Sequence, residues 1–222
     1  MVRDAALVAR KDLLLEWQSR ITLYQVLPFA LVIVVLFGFA FEPDNRVLDE
    51  AAPGLFWLAI LFVSVLITQR TISVEFSDGV DEALRLTGLD PAAIFLGKTA
   101  ATALQLLTIE VVLGMGVVLL YNQTLDGIIV LLGATLVATV GLAAASSLYA
   151  VLAAGAKVRE TVLPILLLPV LAPLLIAATQ AFRDAMDGRS SEAWPWVGLL
   201  GIFALAEVAL GVAAYGSLLE DT

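Results

Sequence analysis

The sequence predicts an all-α integral membrane protein, because it is far more apolar than a soluble domain and divides into long apolar segments. Of its 222 residues, 61% are hydrophobic and 15% are charged, whereas a soluble domain carries about 25% charged residues. The mean hydropathy is +0.99. Six segments approach the roughly 20 residues needed to cross a bilayer, and none alternates in the manner of a strand. We therefore expect a single transmembrane domain of six helices over residues 1–222.

The residue types that the chain lacks exclude several kinds of site. It has no cysteine and no histidine, so thiol chemistry and the commonest metal ligand and general base are missing. A net charge of −9 gives no basic surface for a nucleic acid. The sequence contains no G-x-x-x-x-G-K-[ST] phosphate loop, so any ATP would be hydrolysed by a separate subunit. We expect no enzyme activity and no metal or cofactor bound directly.

An amphipathic helix is expected before the first span, over residues 1–20. Apolar side chains recur at helical spacing, while charged side chains occupy the other positions. A tryptophan beside basic residues is typical of a helix that lies in the membrane interface, although a solvated cytosolic helix would show the same pattern. The apolar set is Val2, Ala5, Ala6, Ala9, Leu13 and Trp17, and the charged set is Arg3, Asp4, Arg10, Lys11, Glu16 and Arg20.

The six spans follow at intervals set by short polar or proline-containing connections. The second span is the shortest, with its ends marked by Pro53–Gly54 and by Arg70. The small-residue run Gly141–Ser147 in the fourth span favours close packing against other helices. The predicted spans are Ile21–Phe41, Leu55–Ile72, Lys98–Tyr121, Gly127–Ala154, Val162–Phe182 and Trp194–Leu218.

The distribution of positive charge predicts that both termini are cytosolic. Cytosolic connections of membrane proteins carry an excess of lysine and arginine. Here nine such residues fall on the side of the N-terminus and three fall on the other side. The first group is Arg3, Arg10, Lys11, Arg20, Arg70, Arg85, Lys98, Lys157 and Arg159, and the second is Arg46, Arg183 and Arg189.

The longest polar interruption, Arg70–Lys98, lies on the cytosolic side by this count. A short amphipathic helix is expected over Asp81–Leu89, with Leu84 on its apolar face and Gly88 at its end. Asp90-Pro91 would begin the next helix, since proline suits a first helical turn. The segment is either a coupling element through which another protein moves the bundle, or a plain connection between two spans.

The fifth span carries three prolines, Pro164, Pro169 and Pro173. Each proline removes a backbone donor and crowds the preceding turn, so we expect the helix to be kinked or loosened. In lipid, the freed carbonyl groups must find partners in the protein or in a water-lined cavity. We expect this helix to face the centre of the bundle or of a dimer and to act as a gate. A static kink needed only for packing is the alternative.

Two carboxylates, Glu110 and Glu207, lie near the middle of the third and sixth spans. A lone charge at that depth costs at least about 2.5–3.5 kcal/mol, and no basic residue lies at the midplane. Each is therefore protonated, paired or open to water. They either line a substrate path or hydrogen-bond across helices as neutral acids. Other polar residues that such a path would use are Gln105, Thr108, Ser146, Ser147 and Gln180.

Two segments resemble the CcmB family of cytochrome c maturation permeases. In the cytosolic segment, Glu75-Phe-Ser-Asp-Gly79, Glu82-Ala-Leu84, Pro91 and Gly97-Lys98 are similar to the coupling loop of ABC-type exporter permeases. The more specific match is residues 159–178, where the Arg159-Glu160 start and the repeated prolines resemble the family's fifth span. Length, span number and the N-terminal helix agree, so the resemblance covers nearly the whole chain.

The resemblance implies an ABC-type permease subunit in the bacterial cytoplasmic (inner) membrane. Two copies would pair with two copies of a cytosolic ATPase subunit, CcmA, and associate with CcmC, CcmD and membrane lipid. ATP hydrolysis by the partner would drive release of the haem-loaded chaperone CcmE. Haem is then the handled or transported group, and the lack of histidine favours a mechanical role for this chain. The contact with the ATPase would be made by Glu75, Gly79, Glu82 and Leu84.

Three other functions stay open at this point. An ABC permease that exports lipid or polysaccharide would share the coupling segment but lack the proline-rich span. A proton-coupled secondary transporter would use Glu110 and Glu207 and need no ATPase. A passive membrane scaffold would tolerate disruption of residues 75–84.

Overall fold

The computed structural model describes residues 1–20, 22–41, 46–77, 88–121, 123, 126–154 and 159–220. Within these ranges the regular structure is helical, and a π-helical turn at Thr22–Val26 separates the first two α-helices. The α-helices are α1 (Val2–Ser19), α2 (Leu27–Ala40), α3 (Arg46–Ser77), α4 (Pro91–Leu120), α5 (Ile128–Ala154), α6 (Arg159–Met186) and α7 (Ser190–Glu220).

The predicted class, an all-α membrane protein, is confirmed. Among the described residues, five helices, α3 to α7, are long and apolar enough to cross a membrane, and α1 with α2 forms a sixth candidate bent by 56°. The 14 residues of α2 give about 21 Å of helix, and the five-residue π-helical turn lengthens this apolar segment. The predicted first span therefore corresponds to the π-helical turn and α2.

The predicted bounds of the second span, Leu55–Ile72, are wrong, because α3 begins well before the first residue and ends beyond the last. The sequence suggests that Pro53 precedes the helix, but Pro53 lies inside it. A proline removes one helical hydrogen bond, and packing compensates for that loss here. The rings of Phe56 and Trp57 lie 5.4 and 5.1 Å from the ring of Phe182 in α6.

The later spans are confirmed with longer ends. α4 begins at Pro91 rather than Lys98, and α6 begins at Arg159 rather than Val162. A helix of 30 residues such as α4 is about 45 Å long, whereas the hydrocarbon core is about 30 Å thick. The helix ends therefore project beyond the apolar part that hydropathy identifies.

α5 is the central helix, since it contacts α3, α4, α6 and α7. The eight consecutive residues from Gly141 to Leu148 are all buried, so this stretch is covered on every side. A Cβ atom at Gly141 would lie 2.8 Å from Cδ1 of Leu174 in α6 and 3.5 Å from Cα of Ala204 in α7. The close packing predicted for the small-residue run is therefore present.

α1 packs across the N-terminal end of α4 at Gly97. A Cβ atom at Gly97 would lie only 2.6 Å from the carbonyl oxygen of Ala5 and 2.6 Å from Cβ of Val8. Val8 is buried in a small apolar cluster that includes Phe95 of α4 and Tyr215 of α7. The helix crossing thus depends on the missing side chain of one glycine.

The face of α1 that meets the bundle differs from the predicted apolar face. Val8, which is outside the predicted stripe, is 4% exposed, whereas Val2 and Trp17 are 87% and 76% exposed. The reason is that only small side chains fit beside Gly97, so Ala5 and Val8 make the contact. The larger apolar residues of α1 point away from the bundle.

Replacing Gly97 with alanine should destabilise the docking of α1. The added methyl group overlaps Ala5 and Val8, and overpacking of this kind costs about 1–3 kcal/mol. The measurement is the thermal unfolding midpoint of the purified protein in detergent.

Gly114→Ala is the matched control, because it lies on the same helix with nothing within 4 Å of the new Cβ. That change should be neutral or stabilising, since glycine in a helix costs about 0.5–1 kcal/mol relative to alanine. Equal midpoints for the two variants would show that the crossing at Gly97 is not close.

Candidate functional site

The predicted coupling segment is helical at both ends. α3 continues to Ser77 and includes Glu75, while α4 begins at Pro91. The other three residues predicted to contact an ATPase, Gly79, Glu82 and Leu84, lie outside the described residues.

α4 begins where predicted, at the C-terminal end of the coupling segment. Gly88 has a φ of +66°, a left-handed conformation that glycine adopts without steric penalty. The Asp90 side chain accepts a hydrogen bond of 3.0 Å from the backbone N–H of Ala92, and Pro91 occupies the first turn of α4. The cap and the proline together fix where α4 begins.

The start of α4 is held by two other helices. A Cβ atom at Gly216 of α7 would lie 3.4 Å from Cβ of Pro91. Farther along, the rings of Phe95 and Tyr215 lie 5.5 Å apart, and α1 crosses at Gly97. A displacement of the connection before Pro91 would therefore act on α1, α4 and α7 together.

Glu110 of α4 is 3% exposed and hydrogen-bonds to the neighbouring helix. Its two carboxyl oxygens lie 2.9 and 2.7 Å from Oγ1 of Thr139 in α5. The same hydroxyl lies 2.7 Å from the backbone carbonyl oxygen of Thr135. This partner could not be identified from the sequence, because Thr139 is one of several threonines in apolar spans.

The number of protons available at this contact bears on whether Glu110 is protonated. A hydroxyl has a single proton to donate, yet Oγ1 of Thr139 is close to both a carbonyl oxygen and a carboxyl group. If Thr139 donates to Thr135, the contact with Glu110 requires a proton from the carboxyl group. We therefore expect Glu110 to be a neutral acid that hydrogen-bonds across α4 and α5.

Glu207 of α7 is also buried, at 6% exposure, but its surroundings differ. Its Oε2 atom has no hydrogen-bond partner within the described part of the chain. A Cβ atom at Gly211 of α7 would meet the ring of Phe95 of α4, and the two helices run antiparallel because Pro91 lies beside Gly216. Glu110 is 15 residues beyond Phe95, about 22 Å along α4, whereas Glu207 is four residues from Gly211, about 6 Å along α7 in the same direction. The two carboxylates therefore lie at different levels.

The other polar residues predicted for a path differ in their exposure. Thr108 is exposed, and its hydroxyl donates a hydrogen bond of 2.8 Å to the carbonyl oxygen of Leu104 in its own helix. Gln105 and Gln180 are partly buried on α4 and α6, and Ser146 is buried in α5. Spacing along one helix could not show which of these side chains share a face with residues of another helix.

The proline-containing α6 is one continuous helix, and its prolines do not face the centre of this bundle. Pro169 and Pro173 are exposed and Pro164 is partly buried. The prediction of a bundle-facing proline side is therefore wrong, while the dimer alternative stays a prediction. The side that packs inward is built from Leu163, Leu167, Leu171, Leu174, Ala177, Ala178, Ala181 and Ala185.

The prolines leave backbone carbonyl groups without helical donors on the outward side. Pro169 and Pro173 cannot donate to the carbonyl groups of Ile165 and Pro169, and Ile165 is 64% exposed. We call the surface formed by Ile165, Pro169, Pro173 and Ile176 the proline face. Such carbonyl groups need a partner other than lipid.

At the opposite end of the bundle, Arg189 forms ion pairs with three carboxylates around the connection between α6 and α7. Its guanidinium lies 2.8 Å from both Asp184 and Asp187 and 3.1 Å from Glu192. The hydrogen bond with Asp187 is the main reason that the pKa of Arg189 is raised. The sequence showed the acidic residues, but only the turn brings them to one arginine.

Comparison with known proteins identifies the family. A model of the CcmB protein family matches residues 3–221. The chain belongs to the CcmB family. This match confirms the resemblance seen in the sequence.

Several relatives in the CcmB family are named heme exporter protein B. The Pseudomonas aeruginosa protein is 29% identical over 189 residues, which is 85% of each chain. The Rhodobacter capsulatus protein is 29% identical over 188 residues, or 83% of this chain and 84% of the relative. The Haemophilus influenzae protein is 25% identical over 183 residues, or 80% of each.

Thr139→Val should destabilise the protein, because it removes the partner of a buried carboxyl group while keeping the side-chain shape. Leaving a buried polar group without a partner costs about 1–3 kcal/mol. The thermal unfolding midpoint in detergent measures the effect.

Glu110→Gln is the companion variant. Its amide can both donate to and accept from Thr139, as a neutral acid does, so the midpoint should stay near that of the unchanged protein. A large loss of stability in Glu110→Gln would contradict the neutral-acid interpretation.

Proposed function

We propose that this chain is the transmembrane permease subunit of an ABC-type complex for cytochrome c biogenesis. The observation that carries the proposal is the CcmB family match over residues 3–221, supported by relatives named heme exporter protein B. The chain would lie in the bacterial cytoplasmic membrane as one permease domain with both termini in the cytosol. The excess of lysine and arginine on that side supports this orientation.

The connection between α3 and α4 is the proposed contact with a cytosolic ATPase subunit, CcmA. The chain has no phosphate loop of its own, so nucleotide binding belongs to the partner. Glu75, Gly79, Glu82 and Leu84 would form the contact. The packing of Gly97 against α1 and of Pro91 against Gly216 supports a mechanism in which ATP-driven movement displaces α1, α4 and α7 as a unit.

The proline face is the proposed gate. Its free carbonyl groups need a protein or aqueous environment, and a second copy of the chain across a dimer centre would provide one. Movement of α4 and α7 would reach α6 because α7 packs directly on α6. The continuous helix α6 can bend at the missing hydrogen bonds, since each proline weakens one turn.

Haem enters this proposal as the group that the complex handles. CcmC, CcmD and the chaperone CcmE would be the other partners, and release of haem-loaded CcmE would be the step that ATP drives. The chain has no histidine or cysteine to ligate the iron in the commonest ways. This composition favours a mechanical role over a haem-binding one.

Leu84→Asp and Gly79→Pro should each abolish coupling while leaving membrane insertion intact. The first puts a charge on the apolar face that would contact the ATPase, and the second rigidifies the segment. The measurements are assembly with the ATPase, stimulation of its activity and cytochrome c maturation in cells.

Val47→Asp is the control, since Val47 is 53% exposed at the opposite end of α3 and should tolerate the charge. Normal assembly, stimulation and maturation in both coupling variants would refute the proposed contact.

Pro169→Ala should impair cytochrome c maturation without affecting assembly, because the new N–H can bond the carbonyl group of Ile165 and stiffen α6. Pro195→Ala is the matched control, since Pro195 is an exposed proline within α7. If both variants support full maturation, α6 is not a gate.

A proton-coupled transporter is the main competing function. The separation of about 15 Å between the levels of Glu110 and Glu207 weighs against direct proton exchange between them. Transport by the isolated chain in proteoliposomes, driven by a proton gradient and without an ATPase, would favour that function over the one proposed.

A further inference from the structure

The charged side chains of α1 are divided between its two sides. Asp4, Asp12 and Glu16 are partly buried on the side toward α4, and Asp12 lies 2.7 Å from Lys11. Arg3 and Arg10 are exposed and make no ion pair in the described part of the chain. The outward side of α1 is therefore positive, although the helix as a whole has mixed charge.

The same outward side carries large apolar side chains. Val2, Leu7, Leu14 and Trp17 are exposed by 87%, 52%, 48% and 76%. An open groove of about 470 Å³ runs along this side. It is lined by Ala6, Ala9, Arg10, Leu13, Leu14 and Trp17. A helix left in water would not expose such a surface without cost.

The position of α1 along α4 places this surface at the edge of the bilayer. α1 crosses α4 at Gly97, next to Lys98, the first charged residue of α4. The roughly 20 residues that cross a hydrocarbon core then extend to the end of α4 near Leu120. α1 lies at the depth of the lipid headgroups.

We propose that the outward side of α1 binds anionic phospholipids of the inner leaflet, with Arg3 and Arg10 contacting the phosphate groups and the groove beside Arg10 receiving an acyl chain. The proposal deepens the suggested interfacial placement of α1 and rests on it. Charge complementarity supports the choice of ligand, because basic residues of interfacial helices are attracted to anionic lipids.

A lipid fits this surface better than a protein does. Apolar side chains surround Arg10, whose guanidinium has no carboxylate partner in the described part of the chain. A phospholipid supplies both an acyl chain and a phosphate that arginine binds in a bidentate manner. The ATPase subunit, in contrast, is expected at the connection between α3 and α4. An acidic surface of that subunit is the competing occupant.

The test compares lipid bound to the purified complex. The full chain, expressed with its partners, is extracted in mild detergent, and the retained phosphatidylglycerol is measured relative to the membrane from which it came. The unchanged protein should be enriched in this lipid. Arg3→Gln and Arg10→Gln should each lower the enrichment about fivefold. At high salt the effect of each substitution should be smaller, because screening already weakens the contact between arginine and phosphate in the unchanged protein.

Lys11→Gln is the matched control, because it removes the same charge from the same helix at a side chain that is already paired with Asp12. It should retain the enrichment. Equal loss in Lys11→Gln would show that only net charge matters, and unchanged enrichment in both arginine variants would overturn the proposal.

A second measurement uses Trp17 in the unchanged complex. The complex is reconstituted into vesicles, and the fluorescence of Trp17 is obtained by subtracting the signal of the Trp17→Phe variant. Brominated phosphatidylglycerol should quench this fluorescence more than brominated phosphatidylcholine does. Equal quenching by the two lipids would contradict the proposal even if the arginine variants misfold.

Two further outcomes separate this inference from the proposed function. If the arginine variants lose the ATPase subunit in vesicles of phosphatidylcholine alone, α1 binds that subunit instead of lipid. If the arginine variants lose phosphatidylglycerol but still support cytochrome c maturation, the lipid site exists but is not required for the proposed function. A reporter fused to the N-terminus shows independently on which side of the membrane the N-terminus lies. A non-cytosolic N-terminus would overturn both the lipid site and the proposed orientation of the permease.

Discussion

The close packing around α5 is the constraint on which the rest of the bundle depends. A helix that is surrounded by four others can carry only small side chains where they meet, and the buried stretch from Gly141 to Leu148 is mostly glycine, alanine and serine. In a membrane, helices associate through such van der Waals packing, because lipid is as apolar as leucine. The closest approach, at Gly141, fixes the relative positions of α5, α6 and α7.

That central position also decides what the intramembrane carboxylates can do. α5 supplies Thr139 to Glu110, whereas Glu207 lies on α7 at a different level of the bundle. Glu110 has the geometry of a packing contact. Glu207 retains a buried oxygen without a partner in the described residues, which makes it the better candidate for a role beyond packing.

Two surfaces of the bundle are not explained by the folding of a single chain. The proline face exposes backbone carbonyl groups that lipid cannot satisfy, and the outward side of α1 exposes both arginines and large apolar groups. A membrane subunit of an ABC-type complex would meet other molecules at both. The start of α4 lies between the proposed ATPase contact and the bundle, and its packing on α1 and α7 would provide the mechanical connection.

The sequence by itself determined the class, the order of the spans and the family, because hydropathy, span length and the proline pattern of residues 159–178 are properties of consecutive residues. It also located the start of α4 from Asp90 and Pro91. Only the tertiary structure decided which sides face inward. The side of α1 that meets the bundle is not its predicted apolar stripe, the prolines of α6 do not face the centre of this bundle, and α3 continues through Pro53, since packing against neighbouring helices outweighs local preference. Thr139 could be found as the partner of Glu110 only after α4 and α5 were placed side by side.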